Sequence, residues 1–391
     1  MIVRRVVVIA AALLLAVEVV RNAAVVALAT FHPAIAAQFW PYHPSVEISL
    51  GLAQIGRDAQ ARKSIDQRTF SMIEDAAVKS PLSAEPFLVR GVQAQTAGEA
   101  EGAKRAFLSA QSRDPRSLPA AYFLADYYFR SGQALPGLQQ TVLLARLSPG
   151  GADAVAPFVA AYAQNRSSWP QMRALFHSQP AIEDDVLTVL ARNPGNTNAI
   201  LAVADQAHRA PDSQWLPVLL QSLVSSGNYQ QARAIWTSIG RGNAGDELVY
   251  DATFSSPQPP PPFNWSLTSS TVGLAERQSG KRLHVIFYGN QDGVLASELL
   301  MLRAGTYRLQ LQLTGSPVHP ESLRWSVRCD KSQQPLASIT LDQAANHGWS
   351  FQVPANCPAQ WLELSGRSED IAQQSDVTIT RLSLVWAGSS A

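Results

Sequence analysis

The sequence predicts a multidomain protein of the α-then-β class: an N-terminal transmembrane helix, a helical solenoid and a C-terminal antiparallel β-sandwich. Three observations predict it. An apolar run opens the chain, a spacing of 34 residues recurs through the middle, and apolar and polar side chains alternate in the last third. We therefore expect three domains, over residues 1–30, 31–246 and 247–391.

The composition is that of folded domains rather than of a disordered chain. Of the 391 residues, 46% are apolar and 16% are charged, which is enough to build several hydrophobic cores. The 31 basic and 30 acidic residues leave a formal net charge of +1. A nucleic-acid binder needs a basic surface to displace counterions from phosphates, so we expect no nucleic-acid partner.

The first 30 residues resemble an export signal in their charge and hydropathy. Arg4 and Arg5 precede an uninterrupted apolar run from Val6 to Val17. Basic residues beside a membrane segment stay on the cytoplasmic side, so the rest of the chain should be exported. The sequence therefore predicts a single-pass membrane protein with the bulk of the chain exported.

Two interpretations of this segment remain open. A signal peptide would be cleaved after Ala27–Ala29, but the charged Glu18 and Arg21 separate that triplet from the apolar run. An uncleaved anchor would use the 24 residues of Val6–Ala29, which can cross a hydrocarbon layer of roughly 30 Å. Glu18 and Arg21 would then share a helix face and pair. We favour the anchor.

The spacing of 34 residues organises the middle of the chain. Pro81, Pro115 and Pro149 keep this step, and so do Gly98 and Gly132. Glycine permits a reversal between two helices, and proline cannot continue a helix interior. The pattern resembles the tetratricopeptide repeat, a helix–turn–helix unit that must stack on its neighbours to cover its apolar face.

The repeat is clear in Ala84–Ser117, Leu118–Gly151 and Ser213–Asp246, and weaker in Leu50–Ser83. Between Gly151 and Ser213 we expect further helices without the period; a generic helical bundle is the alternative interpretation. The resemblance implies a groove, lined by the first helix of each pair, that binds a partner protein. The candidate groove residues are Arg90, Gln93, Asp126 and Arg130.

The last third shows the period of two that is typical of half-buried strands. Apolar and polar residues alternate over Tyr307–Thr314 and over Leu323–Cys329. About nine or ten strands fit between Leu248 and Val385, which suits a two-sheet sandwich or jelly roll. Leu248–Phe254 resembles its edge strand.

The two cysteines of the chain, Cys329 and Cys357, both lie in this domain. An isolated pair in an exported domain suits one disulfide, and two reduced core cysteines are the alternative. No zinc site is expected, because no further Cys or His lies at ligand spacing.

The segments Asp251–Leu267, Gly305–Leu309 and Val377–Leu384 look like parts of carbohydrate-binding-module jelly rolls. Sugars stack on aromatic rings, while their hydroxyls need polar partners. Candidate residues for such a glycan face, which we expect to be a single concave surface, are His284, Tyr288, Arg308, Gln310, Gln312, Trp361 and Glu363. We expect Trp265, Trp325 and Trp349 in the core.

The whole arrangement resembles envelope proteins of exopolysaccharide-producing bacteria, which combine a short anchor, tetratricopeptide repeats and a jelly-roll tail. The segments Arg21–Ala23 and Trp40–Pro44 contribute to the likeness. The resemblance implies a role near polysaccharide production or export. It also implies a place in the bacterial inner membrane, as a single-pass protein with the bulk of the chain in the periplasm.

No catalytic motif is found. The sequence has no nucleophile elbow, no phosphate-binding loop and no pair of histidines at metal-ligand spacing. We therefore expect a scaffold that docks partner proteins, not an enzyme, with no cofactor and no metal. The alternative is a glycan-binding protein that acts through the sandwich, with the helices as a spacer and a polysaccharide as partner.

Overall fold

A computed structural model of the chain describes residues 2–61, 63–240, 247–315, 319, 321–368 and 371–388. Helices come first and two antiparallel sheets follow, as predicted. The chain divides into two compact units, Met1–Val155 and Ala156–Ala391, so that the later helices belong to the same unit as the sheets. The domain boundary predicted after Asp246 lies at residues 241–246, outside the described residues.

The first unit begins with the apolar helix and continues as helix pairs. Its helices are α1 (Ile2–Leu28), α2 (Pro33–Phe39), α3 (Pro44–Gln60), α4 (Gln67–Lys79), α5 (Glu85–Thr96), α6 (Ala100–Arg113), α7 (Leu118–Arg130) and α8 (Ala134–Leu147). Helices α3 and α4, α5 and α6, and α7 and α8 pack as pairs. Gly98 and Gly132 make the turns of two pairs with φ of +79° and +72°, a backbone conformation that favours glycine.

Helix α1 contains Val7–Leu28, which is long and apolar enough to cross a membrane by length and composition. Its side chains from Val7 to Val20 are exposed. Towards its C-terminal end, Val25 and Ala29 are buried against α2 and α3. The apolar helix is thus continuous with the folded core of the first unit.

Close packing within and between pairs follows from residue size. Gly91 of α5 lies against the Phe107 ring of α6, and a Cβ at this glycine would come within 2.3 Å of that ring. The buried Phe107 stacks on Phe123 of α7 with ring centroids 4.7 Å apart. Small residues let the paired helices approach, and the aromatic ring joins one pair to the next.

The region without the period is helical, as predicted. Its helices and the pair after them are α9 (Gly151–Ala163), α10 (Trp169–Ser178), α11 (Glu183–Ala191), α12 (Thr197–Val203), α13 (Trp215–Ser225) and α14 (Tyr229–Gly240). Helix α12 ends at Val203. The following residues are held in turns, because the Ser213 hydroxyl and the Trp215 indole both donate to the His208 carbonyl, at 2.6 and 2.9 Å.

The sandwich consists of two five-stranded antiparallel sheets. Its elements are β1 (Ser266–Leu267), β2 (Gly273–Gln278), β3 (Arg282–Phe287), β4 (Gly293–Leu300), β5 (Gly305–Thr314), β6 (Leu323–Cys329), β7 (Pro335–Thr340), α15 (Leu341–His347), β8 (Trp349–Val353), β9 (Gln360–Gly366) and β10 (Ser375–Gly388). One sheet has the order β1-β4-β9-β6-β7 and the other β2-β3-β10-β5-β8. Trp265, Trp325 and Trp349 are in the core, as expected. Cys329 and Cys357 form a disulfide.

The edge strand predicted over Leu248–Phe254 is wrong. This segment forms turns, and both Asp251 and Phe254 have positive φ, at 47° and 55°, which interrupts an extended chain. The Asp251 carboxylate accepts from the backbone amides of Ser255 and Ser256 at 2.6 and 3.0 Å and so fixes the turn. The apolar residues of the segment still reach the sandwich core.

Candidate functional site

An apolar groove follows the first helices of the pairs in the first unit. It encloses about 460 Å³. Its walls come from α3, α4 and the segment before it, α5 and the start of α7. The lining residues are Leu52, Ile55, Ile65, Phe70, Glu85, Leu88, Val89, Val92, Gln93, Thr96 and Pro119. Eight of these eleven are apolar, so the groove offers apolar surface to a ligand.

The groove exists because α5 carries more apolar residues than its own pair can cover. Gly91 faces α6, whereas Val92 is 38% exposed. Leu52 of α3 is 37% exposed in the same groove. Removing such surface from water contributes about 25 cal/mol per Å², so an apolar segment can bind here.

The four predicted groove residues are not brought together. Only Gln93 lines the apolar groove. Asp126 and Arg130 form an ion pair of 2.8 Å and line a separate hollow of about 320 Å³. Arg90 lines neither cavity and points to Glu74, with its Nη2 at 3.4 Å from the carboxylate. The apolar residues of the groove were missed, although their surplus on α5 was visible in the sequence.

A second cavity, of about 550 Å³, lies in the sandwich between β5, β10 and α15. Most of its lining is polar, and we call it the sandwich pocket. The residues that line it are Arg308, Gln310, Leu311, Gln312, Ala344, Ala345, Asn346, His347, Gly348, Arg381 and Ser383.

Strand register explains how the polar side chains of the sandwich pocket converge. On β5, Arg308, Gln310 and Gln312 alternate with residues that face the core. On β10, Arg381 lies opposite Gln312, and Ser383 lies opposite Gln310. A register shift between Ile379 and Arg381 is needed for this, because strict alternation would turn Arg381 to the core side. The sequence pattern therefore missed Arg381.

The predicted glycan face is divided between the two sheets. His284, Tyr288 and the β5 residues belong to the sheet that carries the sandwich pocket, but Trp361 and Glu363 lie on β9 of the other sheet. Tyr288, just after β3, is 37% exposed. A single concave face is therefore not formed. Alternation shows which residues point outward, but not to which sheet a strand belongs.

Trp361 and Glu363 are engaged in bonds of their own. The Trp361 indole donates to Asp330 Oδ1 at 2.8 Å, and Glu363 accepts from Arg328 Nη2 at 2.9 Å. The other carboxylate oxygen of Asp330 accepts from the Tyr229 hydroxyl of α14 at 2.8 Å. Burial and the Asp330 carboxylate raise the pKa of Tyr229 to about 12. This chain of bonds joins the last helix pair to the sandwich.

His284 lies on the outer face of the pocket-bearing sheet, between two carboxylates. Its Nδ1 is 3.3 Å from Glu276 of β2, and its Nε2 is 2.8 Å from Asp376 of β10. Burial alone would lower the pKa of His284, but the hydrogen bonds to Asp376 and Glu276 outweigh it and raise the pKa above its usual value. The cluster ties three adjacent strands together.

Two buried carboxylates in the second unit hold loops in place. Glu298 accepts from the Tyr250 backbone amide at 2.7 Å, and Glu183 accepts from that of Asp205 at 2.6 Å. Burial raises the pKa of both. Within the described ranges, no three His, Cys, Asp or Glu side chains gather as metal ligands would.

Comparisons with known proteins give partial likenesses. No protein-family model matches the chain, and no curated protein matches its sequence. Similar solved structures include the accessory secretory proteins 1, 2 and 3 of Streptococcus pneumoniae (12% identity, 30% of this chain, 88% of that one, TM-score 0.23). The match to the glycosylation-associated Gap123 complex of Streptococcus agalactiae covers 31% of this chain and 41% of that one, with 14% identity and a TM-score of 0.24. The match to a family 61 carbohydrate-binding module in complex with β-1,4-galactotriose covers 31% of this chain and 88% of that one, with 14% identity and a TM-score of 0.20. These scores are too low to carry a functional argument.

Proposed function

We propose that this chain is a membrane-anchored envelope protein that docks a partner protein in the apolar groove of its first unit, without catalysis. The observation that carries the proposal is the groove itself, about 460 Å³ with mostly apolar walls along the first helices. Repeat folds of this kind present such surfaces to extended or helical segments.

Helix α1 serves as the anchor in this proposal, and its surroundings support that role. Arg21 pairs with Glu18 at 2.9 Å, and its guanidinium lies 4.3 Å from the Trp40 ring centroid, so the charges in the apolar helix are compensated. Phe31 and Tyr42, beyond the helix, are 80% and 76% exposed. Aromatic side chains are enriched at membrane–water interfaces.

We propose further that α1 is not cleaved. Val25 of this helix and Ala29 just after it belong to a buried cluster with Ala36 and Val46, and cleavage after Ala29 would take both away from that cluster. With the basic N-terminal end in the cytoplasm, the bulk of the chain lies in the periplasm. A role in polysaccharide assembly or export rests on the resemblance of the domain arrangement to envelope proteins of exopolysaccharide-producing bacteria.

The occupant that fits the groove best is an amphipathic helix of the partner. Leu88 and Val92 of α5 are one helical turn apart, and so are Leu52 and Ile55 of α3, so apolar side chains spaced by a turn can pack between them. Glu85 brings a negative charge to the same lining and favours a basic residue in the partner segment.

Photo-cross-linking in native membranes tests the docking function. A photoreactive amino acid replaces the exposed Thr96 of the groove, and its adduct is followed in the full chain, in Val92→Asp and in Val78→Asp. Val78 is 83% exposed on α4 outside the groove, which makes it the matched control. We expect Val92→Asp to reduce the adduct at least about tenfold, because a carboxylate loses hydration when the apolar ligand covers it.

Val78→Asp should leave the adduct unchanged, and peptide mapping should place the cross-link in a segment with apolar residues at helical spacing. An adduct that survives Val92→Asp, or a cross-linked segment without that spacing, would refute docking in this groove.

A second candidate function is glycan recognition by the sandwich. The sandwich pocket favours it, because its polar side chains can hydrogen-bond hydroxyl groups.

A further inference from the structure

The sandwich pocket has an unbalanced charge. Arg308 and Arg381 both line it, and no acidic residue does. Among the described residues neither arginine forms an ion pair; Arg308 Nη2 donates to the His347 carbonyl at 3.0 Å. A guanidinium without an acidic partner is available to bind an anion, and a carboxylate matches its planar pair of donors.

The remaining lining is suited to hydroxyl groups. Gln310, Gln312 and Asn346 each bring an amide that can both donate and accept, and Ser383 adds a hydroxyl. No Trp, Tyr or Phe lines the pocket, so affinity for a sugar cannot come from stacking on a ring. Charge then has to supply the affinity that stacking provides elsewhere.

The two arginines leave the sheet at separate positions along the strands. Val385, opposite Arg308, is four residues from Arg381 on β10, which corresponds to about 13 Å along a strand. The bond to the His347 carbonyl turns the Arg308 guanidinium towards the end of α15, which leads into β8 on the side of β5 away from β10. One phosphate group does not satisfy two cations so placed, whereas an extended chain with repeated negative groups does.

We infer that the sandwich pocket binds an acidic saccharide, one whose sugar units carry carboxylates, with Arg308 and Arg381 pairing to carboxylates of separate units. The glutamines and Ser383 between them bind the hydroxyls. An anionic lipid surface is a poorer fit, because such surfaces are recognised by larger clusters of basic residues. The inference rests on the second candidate function, glycan recognition, and is independent of the apolar groove.

Binding by the full chain in a nonionic detergent tests this inference, with calorimetry as the measurement. The probes are oligogalacturonate, alginate oligomers and the same oligogalacturonate with its carboxyl groups reduced to alcohols. We expect a carboxylated probe to bind and the reduced one to bind at least about tenfold more weakly. Arg308→Gln and Arg381→Gln should each weaken binding about tenfold, since a charge-assisted hydrogen bond contributes at this level.

Arg303→Gln is the matched control, because Arg303 is exposed in the same domain but does not line the pocket. It should bind the probe as the unmodified chain does. All three arginines are exposed, so the variants should keep the unfolding temperature of the parent.

The outcomes separate this inference from the functions proposed above. Equal binding of the carboxylated and reduced probes would overturn the acidic specificity and leave glycan recognition standing. No binding of any saccharide would overturn both the acidic specificity and glycan recognition. It would not affect the docking function of the groove, which the cross-linking experiment tests. Arginine-dependent binding of inorganic phosphate or phosphatidylglycerol vesicles, without saccharide binding, would assign the pocket to another anion and overturn the saccharide.

Discussion

Two helix pairs of this chain share one repeat pattern but differ in what covers them. In the pair α5–α6 the turn glycine is Gly98, and in α13–α14 it is Gly227, both with φ of +79°. When these glycines are aligned, the exposed Arg90 of α5 corresponds to Leu219 of α13, which is fully buried. Helix α13 packs against α11, whereas α5 keeps apolar residues open in the groove.

The difference teaches that the repeat determines the pair but not its use. Both pairs have glycine at the turn and a buried aromatic ring in the second helix, Phe107 or Trp236. Whether the first helix can dock a partner depends on its outward residues and on the neighbouring elements. In the second unit those neighbours close the surface, and in the first they leave it open.

The largest expected effect is on stability, and it distinguishes the covered first helix α13 from the exposed first helix α5. Leu220→Ala should lower the free energy of unfolding by about 2–5 kcal/mol, because a fully buried leucine leaves a cavity. Val92→Ala, on the exposed face of α5, should change it by no more than about 0.5 kcal/mol. Denaturant unfolding of the full chain measures both. Equal losses of unfolding free energy in the two variants would mean that α5 is covered and would contradict an open groove.

A smaller effect concerns the link that joins the last helix pair to the sandwich. Tyr229→Phe removes the hydrogen bond to Asp330 and should cost about 1.5 kcal/mol, since the acceptor is charged. With its pKa near 12, the phenol keeps this bond up to about pH 10. Tyr122→Phe on α7, where the ring is 61% exposed, is the control and should change little in the same melts. If the two variants behave alike, the link contributes nothing to stability.

The smallest effect is a pH dependence of the sandwich. Because the pKa of His284 is raised in the folded state, its charged form stabilises the fold below the unfolded pKa of about 6.5. That contribution, about 0.2–1 kcal/mol for such pairs, is lost as the pH rises through the folded pKa. In thermal melts, the unmodified chain should become less stable between pH 6 and pH 8.5. This decrease should be absent in His284→Gln and present in His177→Gln, a change at an exposed histidine. An unchanged pH profile in His284→Gln would exclude the cluster as its source.

The parts of the fold that depend on local pattern could be predicted from the sequence. The 34-residue step locates the helix pairs, because turn glycines and terminal prolines are read from short segments. Alternation likewise locates strands such as β5 and β6. Glu18 and Arg21 pair as their spacing predicts.

The parts that depend on pairing between distant segments could not be predicted. Nothing in the alternation of Trp361 and Glu363 tells that β9 belongs to a different sheet from β5. The register shift before Arg381 adds one residue to β10 and moves the following side chains to the opposite face of the sheet. Arg381, which completes the sandwich pocket, was therefore absent from the candidates. Helix α15, the third wall of that pocket, carries no repeat or alternation.

The burial of Val25 and Ala29 against α2 and α3 has a mechanical consequence. Helix α1 is attached rigidly to the first unit, because it cannot rotate without disturbing the packing on Ala36 and Val46. If α1 is the membrane anchor that we propose, the groove lies at a fixed distance from the lipid and in a fixed orientation to it. Only partners that present their segment at that distance could reach it, so geometry would select among partners before affinity does.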